Sequence, residues 1–144
     1  MKIEIKPAGI DDLLQVELQI PEFSQPRQRA QIAQRLTGKP HLLLVAYAGE
    51  QPVGYKLGYA LDDQEFYSWL GAVIPQYRGH GIAKQLLLKQ EQWCRQQGFA
   101  AIRVKSRNQF NTMLLMLISH GYHIVKCEPV TTPLDYKIHF YKAL

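Results

Sequence analysis

The spacing of hydrophobic and polar positions changes several times along the 144 residues, and each change marks an element. Over residues 2–6, Ile3 and Ile5 alternate with charged neighbours, the period of two that a half-buried strand needs, and Pro7 stops it. Leu13, Leu14, Val16, Leu18 and Ile20 then build an apolar helical face behind Asp11 and Asp12, which suit a first turn; Pro21 ends the run. Pro26 is placed to open a second helix, rich in Arg and Gln, that continues to Gly38 and Pro40. Residues 41–47 and 52–61 read as the strands of a hairpin, and the aromatic, β-branched run 65–74 reads as a third consecutive strand. Gly71 inside it suggests a bulge or a close backbone approach. From Gly79 to Gly98 the period turns helical, with Ile82, Leu86, Leu87, Trp93 and Cys94 on one face. A strand at 100–105, a short apolar helix at 111–118 and two terminal strands at 122–127 and 137–141 complete the chain.

This order predicts an α/β fold: a mixed, mostly antiparallel sheet with helices on both faces. The strand, helix, strand unit over residues 65–105 is long enough for one right-handed crossover, so a single parallel pair is expected at its centre. No repeat, low-complexity tract or linker interrupts the chain, and residues 1–144 read as one domain. A composition of 47% hydrophobic and 20% charged residues argues against a disordered, collagen-like or coiled-coil chain. No apolar run approaches the ~20 residues of a membrane span, and the opening MKIEIKPAGI is too charged for a secretory leader. A cytoplasmic protein with no membrane partner is the expectation. Cys94 and Cys127 fit neither a disulfide framework nor a ligand spacing and read as reduced thiols. His120, His123 and Cys127 match no zinc pattern, so no metal is expected.

Charge narrows the partners. The net charge of +5 favours an anion, yet Lys56, Arg78, Lys84, Arg95, Arg103 and Lys105 are dispersed rather than gathered into a run. That distribution fits a phosphate-bearing small molecule better than nucleic acid. The strand aromatics Phe66, Tyr67 and Trp69 lack the surrounding text of an RNA-recognition strand and read as core and pocket packing.

The chemistry concentrates in residues 73–82, VIPQYRGHGI, where a strand ended by Pro75 passes through a glycine-rich turn into a helix. Gly79 and Gly81 let backbone approach a ligand, and a first helical turn leaves N–H groups aimed outward, a cradle for a pyrophosphate to which Arg78 adds charge. A tight strand-to-helix turn alone would use the same two glycines. The Walker pattern fails, because Ile82 and Ala83 follow Gly81; the dinucleotide pattern fails at Lys84.

What remains resembles the acyl-CoA signature of the GNAT superfamily of N-acetyltransferases, Q/R-x-x-G-x-G/A, at Gln76, Gly79 and Gly81. Val73, Pro75, Tyr77, Arg78, Ile82, Ala83, Leu86 and Leu87 fall where that family's surrounding run places them, and the element order agrees over nearly the whole chain. The resemblance implies acetyl-CoA as co-substrate. Its pyrophosphate would lie on the amides of Arg78, Gly79, His80, Gly81, Ile82 and Ala83. Its pantetheine arm would pair with the backbone of Leu70, Gly71, Ala72 and Val73, splayed from the next strand by a bulge at Gly71. Asn108 and Asn111 would contact the cofactor from beyond the following strand, although Asn111 equally suits an N-cap.

The expected reaction is direct attack of a primary amine, carried by a small molecule or a peptide, on the thioester. It needs a base for the amine, a donor for the oxyanion and an acid for the leaving thiolate. A strand amide near Val73 would serve as the donor. Tyr67 stands where some family members carry a Glu base, and Glu65 lies two residues earlier on the same face. The positions of the usual acid Tyr hold Leu117 and Ile118, so that role has no hydroxyl. A non-catalytic acyl-CoA-binding domain is therefore the alternative reading. Look-alikes also suggest a homodimer through a terminal strand.

Overall fold

The computed structural model describes residues 2–23, 25 and 27–144. The elements follow the order read from the sequence: β1 (Ile3–Pro7), α1 (Ile10–Glu17), α2 (Arg29–Leu36), β2 (His41–Ala48), β3 (Gln51–Ala60), β4 (Glu65–Val73), α3 (Ile82–Gln96), β5 (Ala101–Arg107), α4 (Asn111–Ser119), β6 (His123–Glu128) and β7 (Lys137–Ala143). Pro26, expected to open the second helix, lies outside the described residues. That helix is instead capped by Gln28, which exchanges side-chain and backbone hydrogen bonds with Gln31. Helix α1 is shorter than its apolar spacing predicts. After Glu17 the amides of Gln19 and Ile20 bond three residues back, to Val16 and Glu17, so the turn tightens ahead of Pro21.

The strands form one sheet in the order β1-β2-β3-β4-β5-β7-β6. Every neighbouring pair is antiparallel except β4 and β5, the pair joined through α3, so the mixed α/β fold with one parallel pair is as expected. Both sheet faces are covered. A Cβ at Gly54 would sit 3.5 Å from Ile82 of α3, whereas the Tyr55 hydroxyl bonds Glu17 of α1. Adjacent strand residues point to opposite faces, so α1 and α3 flank the sheet on opposite sides. This double cover explains why Leu42 to Ala46 of β2 and Pro52 to Ala60 of β3 are buried without alternation.

Two local features shape the centre. Opposite β3 the register runs from Leu57–Leu70 to Gly58–Ser68, so the extra residue of β4 is Trp69. The bulge expected at Gly71 therefore sits two residues earlier, where a bulky ring can leave the ladder and pack on Tyr59 at 5.7 Å. Parallel pairing of β4 with β5 then stops at Ser68–Val104, although β4 runs on to Val73 and β5 to Arg107. Past that point the two strands part.

Candidate active site

Beyond Ser68 the edge of β4 that faces β5 has no strand partner among the described residues, while its other edge pairs Leu70, Gly71, Ala72 and Val73 with Leu57, Lys56, Tyr55 and Gly54 of β3. Peptide groups on the unpaired edge, apart from the Val73 carbonyl that accepts from Arg78 Nε at 2.9 Å, can bond an extended ligand. Pro75 ends the strand, and a single 3₁₀ turn (Pro75–Tyr77) carries the chain to the glycine pair.

Gly79 and Gly81 adopt φ of 80° and 78°, the left-handed region that glycine enters without penalty. A Cβ at either would meet nothing within 4 Å, so the requirement is conformational and the space beside the loop is open. The N–H groups of Gly79, His80, Gly81, Ile82, Ala83 and Lys84 have no hydrogen-bond acceptor among the described residues. Six successive donors at the positive end of a fifteen-residue helix fit a pyrophosphate in both geometry and charge. The Arg78 amide, counted with this set from the sequence, is already bonded to the Pro75 carbonyl at 3.2 Å. The run of free donors starts one residue later and extends to Lys84.

The Arg78 side chain is also committed. Its Nε donates to the Val73 carbonyl at 2.9 Å and its terminal nitrogens donate to Glu22 at 2.9 and 3.3 Å. That guanidinium holds the Glu22 carboxyl below the usual carboxylate range.

The chain belongs to the GNAT acetyltransferase family. The family's model matches residues 9–122, which span the unpaired β4 edge and the glycine loop. Solved structures share the fold at low identity. The ribosomal-protein-S18-alanine N-acetyltransferase of Escherichia coli superposes with a TM-score of 0.84 at 15% identity, covering 99% of this chain and 94% of that one. Ard1 of Thermoplasma volcanium gives 0.85 at 18%, covering 99% and 97%. A GNAT family acetyltransferase of Elizabethkingia anophelis, solved with acetyl-CoA bound, gives 0.76 at 17%, covering 99% and 98%. No curated protein matches in sequence.

The remaining expected positions can be located within this GNAT domain. Glu65 and Tyr67 share the face of β4 turned toward α1 and α2, as their spacing requires. Glu65 is occupied: Arg103 donates to both its oxygens, at 2.7 and 3.3 Å. Burial pushes the Tyr67 hydroxyl above the ordinary phenol range, so at neutral pH it is a proton donor and not a base. Asn108 ties the end of β5 to the turn before β7, its side chain donating to the Pro133 carbonyl at 3.0 Å and its amide to Tyr136 at 2.9 Å. Asn111 is the first residue of α4, and Phe110 occupies the cap position, so the N-cap reading of Asn111 does not hold. Leu117 is fully buried and Ile118 half exposed, without a hydroxyl at either. Among the described residues no three His, Cys, Asp or Glu side chains converge as a metal site needs, and no helix is long and apolar enough to cross a membrane.

Sequence reasoning missed two groups. Lys56 is buried under Gly71, and loss of hydration lowers its pKa to about 8. Arg35, Tyr59, Trp69 and Lys105 gather on the α1/α2 face beside Tyr67; Arg35 stacks on Trp69 at 4.7 Å and bonds the Tyr59 hydroxyl at 3.1 Å. The alternation of Arg103 and Lys105 along β5 shows that those two share a face. No sequence pattern brings Arg35 to them.

Proposed function

We propose that the protein is an N-acetyltransferase that moves an acetyl group from acetyl-CoA to a primary amine of a small molecule or peptide, acting in the cytoplasm. The observation that carries this reading is the continuity of two unpaired backbone surfaces. The open β4 edge from Leu70 to Val73 leads through one 3₁₀ turn into the six free amides of Gly79–Lys84. An extended pantetheine arm suits the first and a pyrophosphate suits the second. Acetyl-CoA supplies the thioester: the amine nitrogen bonds the acetyl carbon, the carbon–sulfur bond breaks with its electron pair on sulfur, and the proton lost by nitrogen ends on the thiol.

The chain's own groups would divide the work. Amides of the open edge near Val73 supply hydrogen bonds to developing negative charge. Tyr67, kept protonated by its burial, acts as a donor near the point where the strands part. Glu65 orients Arg103 through its paired oxygens, which leaves it a weaker candidate for the base than its sequence position suggested. Asn108 and Asn111, which follow β5 in the chain, would reach the cofactor from beyond that strand.

Calorimetry with CoA, followed by a thiol-release assay across a panel of amines, tests the reading. Heat of binding is expected in the wild type and is lost in Gly81→Glu, whose Cβ enters open space, so the domain stays folded at a cost of about 1–2 kcal/mol for the left-handed backbone. Absence of heat with the wild type would remove the transferase reading. Binding without thiol release from any amine would instead support a non-catalytic acyl-CoA-binding domain, the reading favoured by Leu117 and Ile118 in place of a hydroxyl.

A further inference from the structure

Where β4 and β5 part, on the α1/α2 face, the structure holds a cavity of about 360 Å³ whose walls include Arg35, Tyr59, Tyr67, Arg103, Lys105 and His139. Among the described residues no carboxylate lines it. Tyr67 and Lys105 adjoin Ser68 and Val104, the last pair before the strands separate, so the cavity opens beside the strand gap. Its volume falls within the range of small-ligand sites.

The charges of this wall are unequally answered. Arg103 pairs with Glu65 and His139 with Glu128, at 2.7 and 2.9 Å. Arg35 and Lys105 have no carboxylate within ion-pair distance among the described residues; each rests on an aromatic ring instead, Trp69 at 4.7 Å and Tyr67 at 5.5 Å. Two uncompensated cations above a floor of edge-packed aromatic rings, Tyr59 against Tyr67 at 5.5 Å, suit a ligand with an anionic end and an apolar body. A diamine or polyamine would meet repulsion there.

We propose that this cavity receives the acceptor and that the acceptor is an amine bearing a carboxylate, paired with Arg35 and Lys105 while its nitrogen lies toward the strand gap. The proposal rests on the acetyltransferase reading. The same cations assist the chemistry, because a like charge nearby disfavours the ammonium form and the attacking nitrogen must be neutral. The carboxylate can belong to a free amino acid or to an acidic residue at a peptide's N-terminus.

The test measures amine binding directly, with and without saturating CoA, by calorimetry. Phenylalanine is compared with phenethylamine, and a peptide amide beginning with Asp with the same peptide beginning with Asn. The carboxylate-bearing member of at least one pair is expected to bind about tenfold more tightly, as one charge-assisted contact predicts. The pair that shows the preference identifies the source. Lys105→Gln and Arg35→Gln should each erase it, and Lys105→Glu should reverse it toward the uncharged partner while CoA heat stays unchanged. Equal or tighter binding of the decarboxylated and Asn members, or a preference that survives all three substitutions, would overturn the proposal. Neither result touches the transferase reading, which is decided separately by CoA binding and thiol release. Should CoA fail, the measurement without CoA still decides whether the cavity selects carboxylates.

Discussion

Lys56 shows how a single residue can work against the fold. Its ammonium is buried beneath Gly71, and the Coulombic help of Glu91 falls short of the lost hydration, so its pKa drops from 10.5 to about 8. The unfolded chain binds this proton more tightly than the folded one, so the penalty is fully present below pH 8 and fades as pH rises toward 10.5. Lys56→Met is expected to stabilise the domain at pH 7 by on the order of 1–3 kcal/mol. Urea midpoints of variant and wild type should converge by about pH 10.5. A gap that holds constant across that range would show that Lys56 is not titrating in the folded state. The two loop glycines show the converse: open space surrounds both, and only their positive φ selects glycine.

Among the elements, β4 decides the most, because it pairs with β3 throughout and with β5 only as far as Ser68. The bulge at Trp69 faces Gly58, where a Cβ would lie 2.3 Å from the Phe66 ring and 2.7 Å from the Tyr67 carbonyl. Phe66 is itself packed against the stacked pair Trp93 and Phe99, so neither atom can yield cheaply. Gly58→Ala should therefore destabilise the domain by about 1–3 kcal/mol and shift the register at the bulge, with weaker CoA binding as a result. A urea midpoint within error of wild type would refute the crowding. Helix α3 is anchored from its far half: buried Glu91 accepts from Tyr122 at 2.7 Å and from Lys142 at 3.1 Å, which ties the helix behind the loop to the end of the sheet. Tyr122, next to Gly121, is thus spent on holding this helix, its ring buried and its hydroxyl bonded to Glu91.

For the molecule as a whole, the Arg78–Glu22 pair links the segment between α1 and α2 to the loop between β4 and α3. Glu22 is held below the usual carboxylate range, so this contact contributes above that range and is lost as pH falls through the lowered pKa. In neutral solution the carboxylate competes with any phosphate for Arg78. Glu22→Gln is expected to tighten CoA binding several-fold, about 0.5–1 kcal/mol, and to steepen its salt dependence. Unchanged affinity in calorimetry at two salt concentrations would place Arg78 outside the phosphate site. The basic excess of the chain also acquires a location. Of the cations scattered through the sequence, Arg35 and Lys105 meet at one cavity without carboxylate partners among the described residues.

Sequence alone determined the elements, their order and the position of the glycine loop. These depend on local period and on backbone permission: alternation in β1, helical spacing through Leu86 and Leu87, and two residues free to take positive φ at Gly79 and Gly81. Tertiary structure decided which strand residue bulges, which amides stay free and which cations share a wall. A register shift is settled by packing across strands, as Trp69 against Tyr59 shows, and a pocket's charge by residues as distant in the chain as Arg35 and Lys105. Neither distance nor exposure is written in the spacing of letters, because both arise only when the sheet closes over its two helical layers.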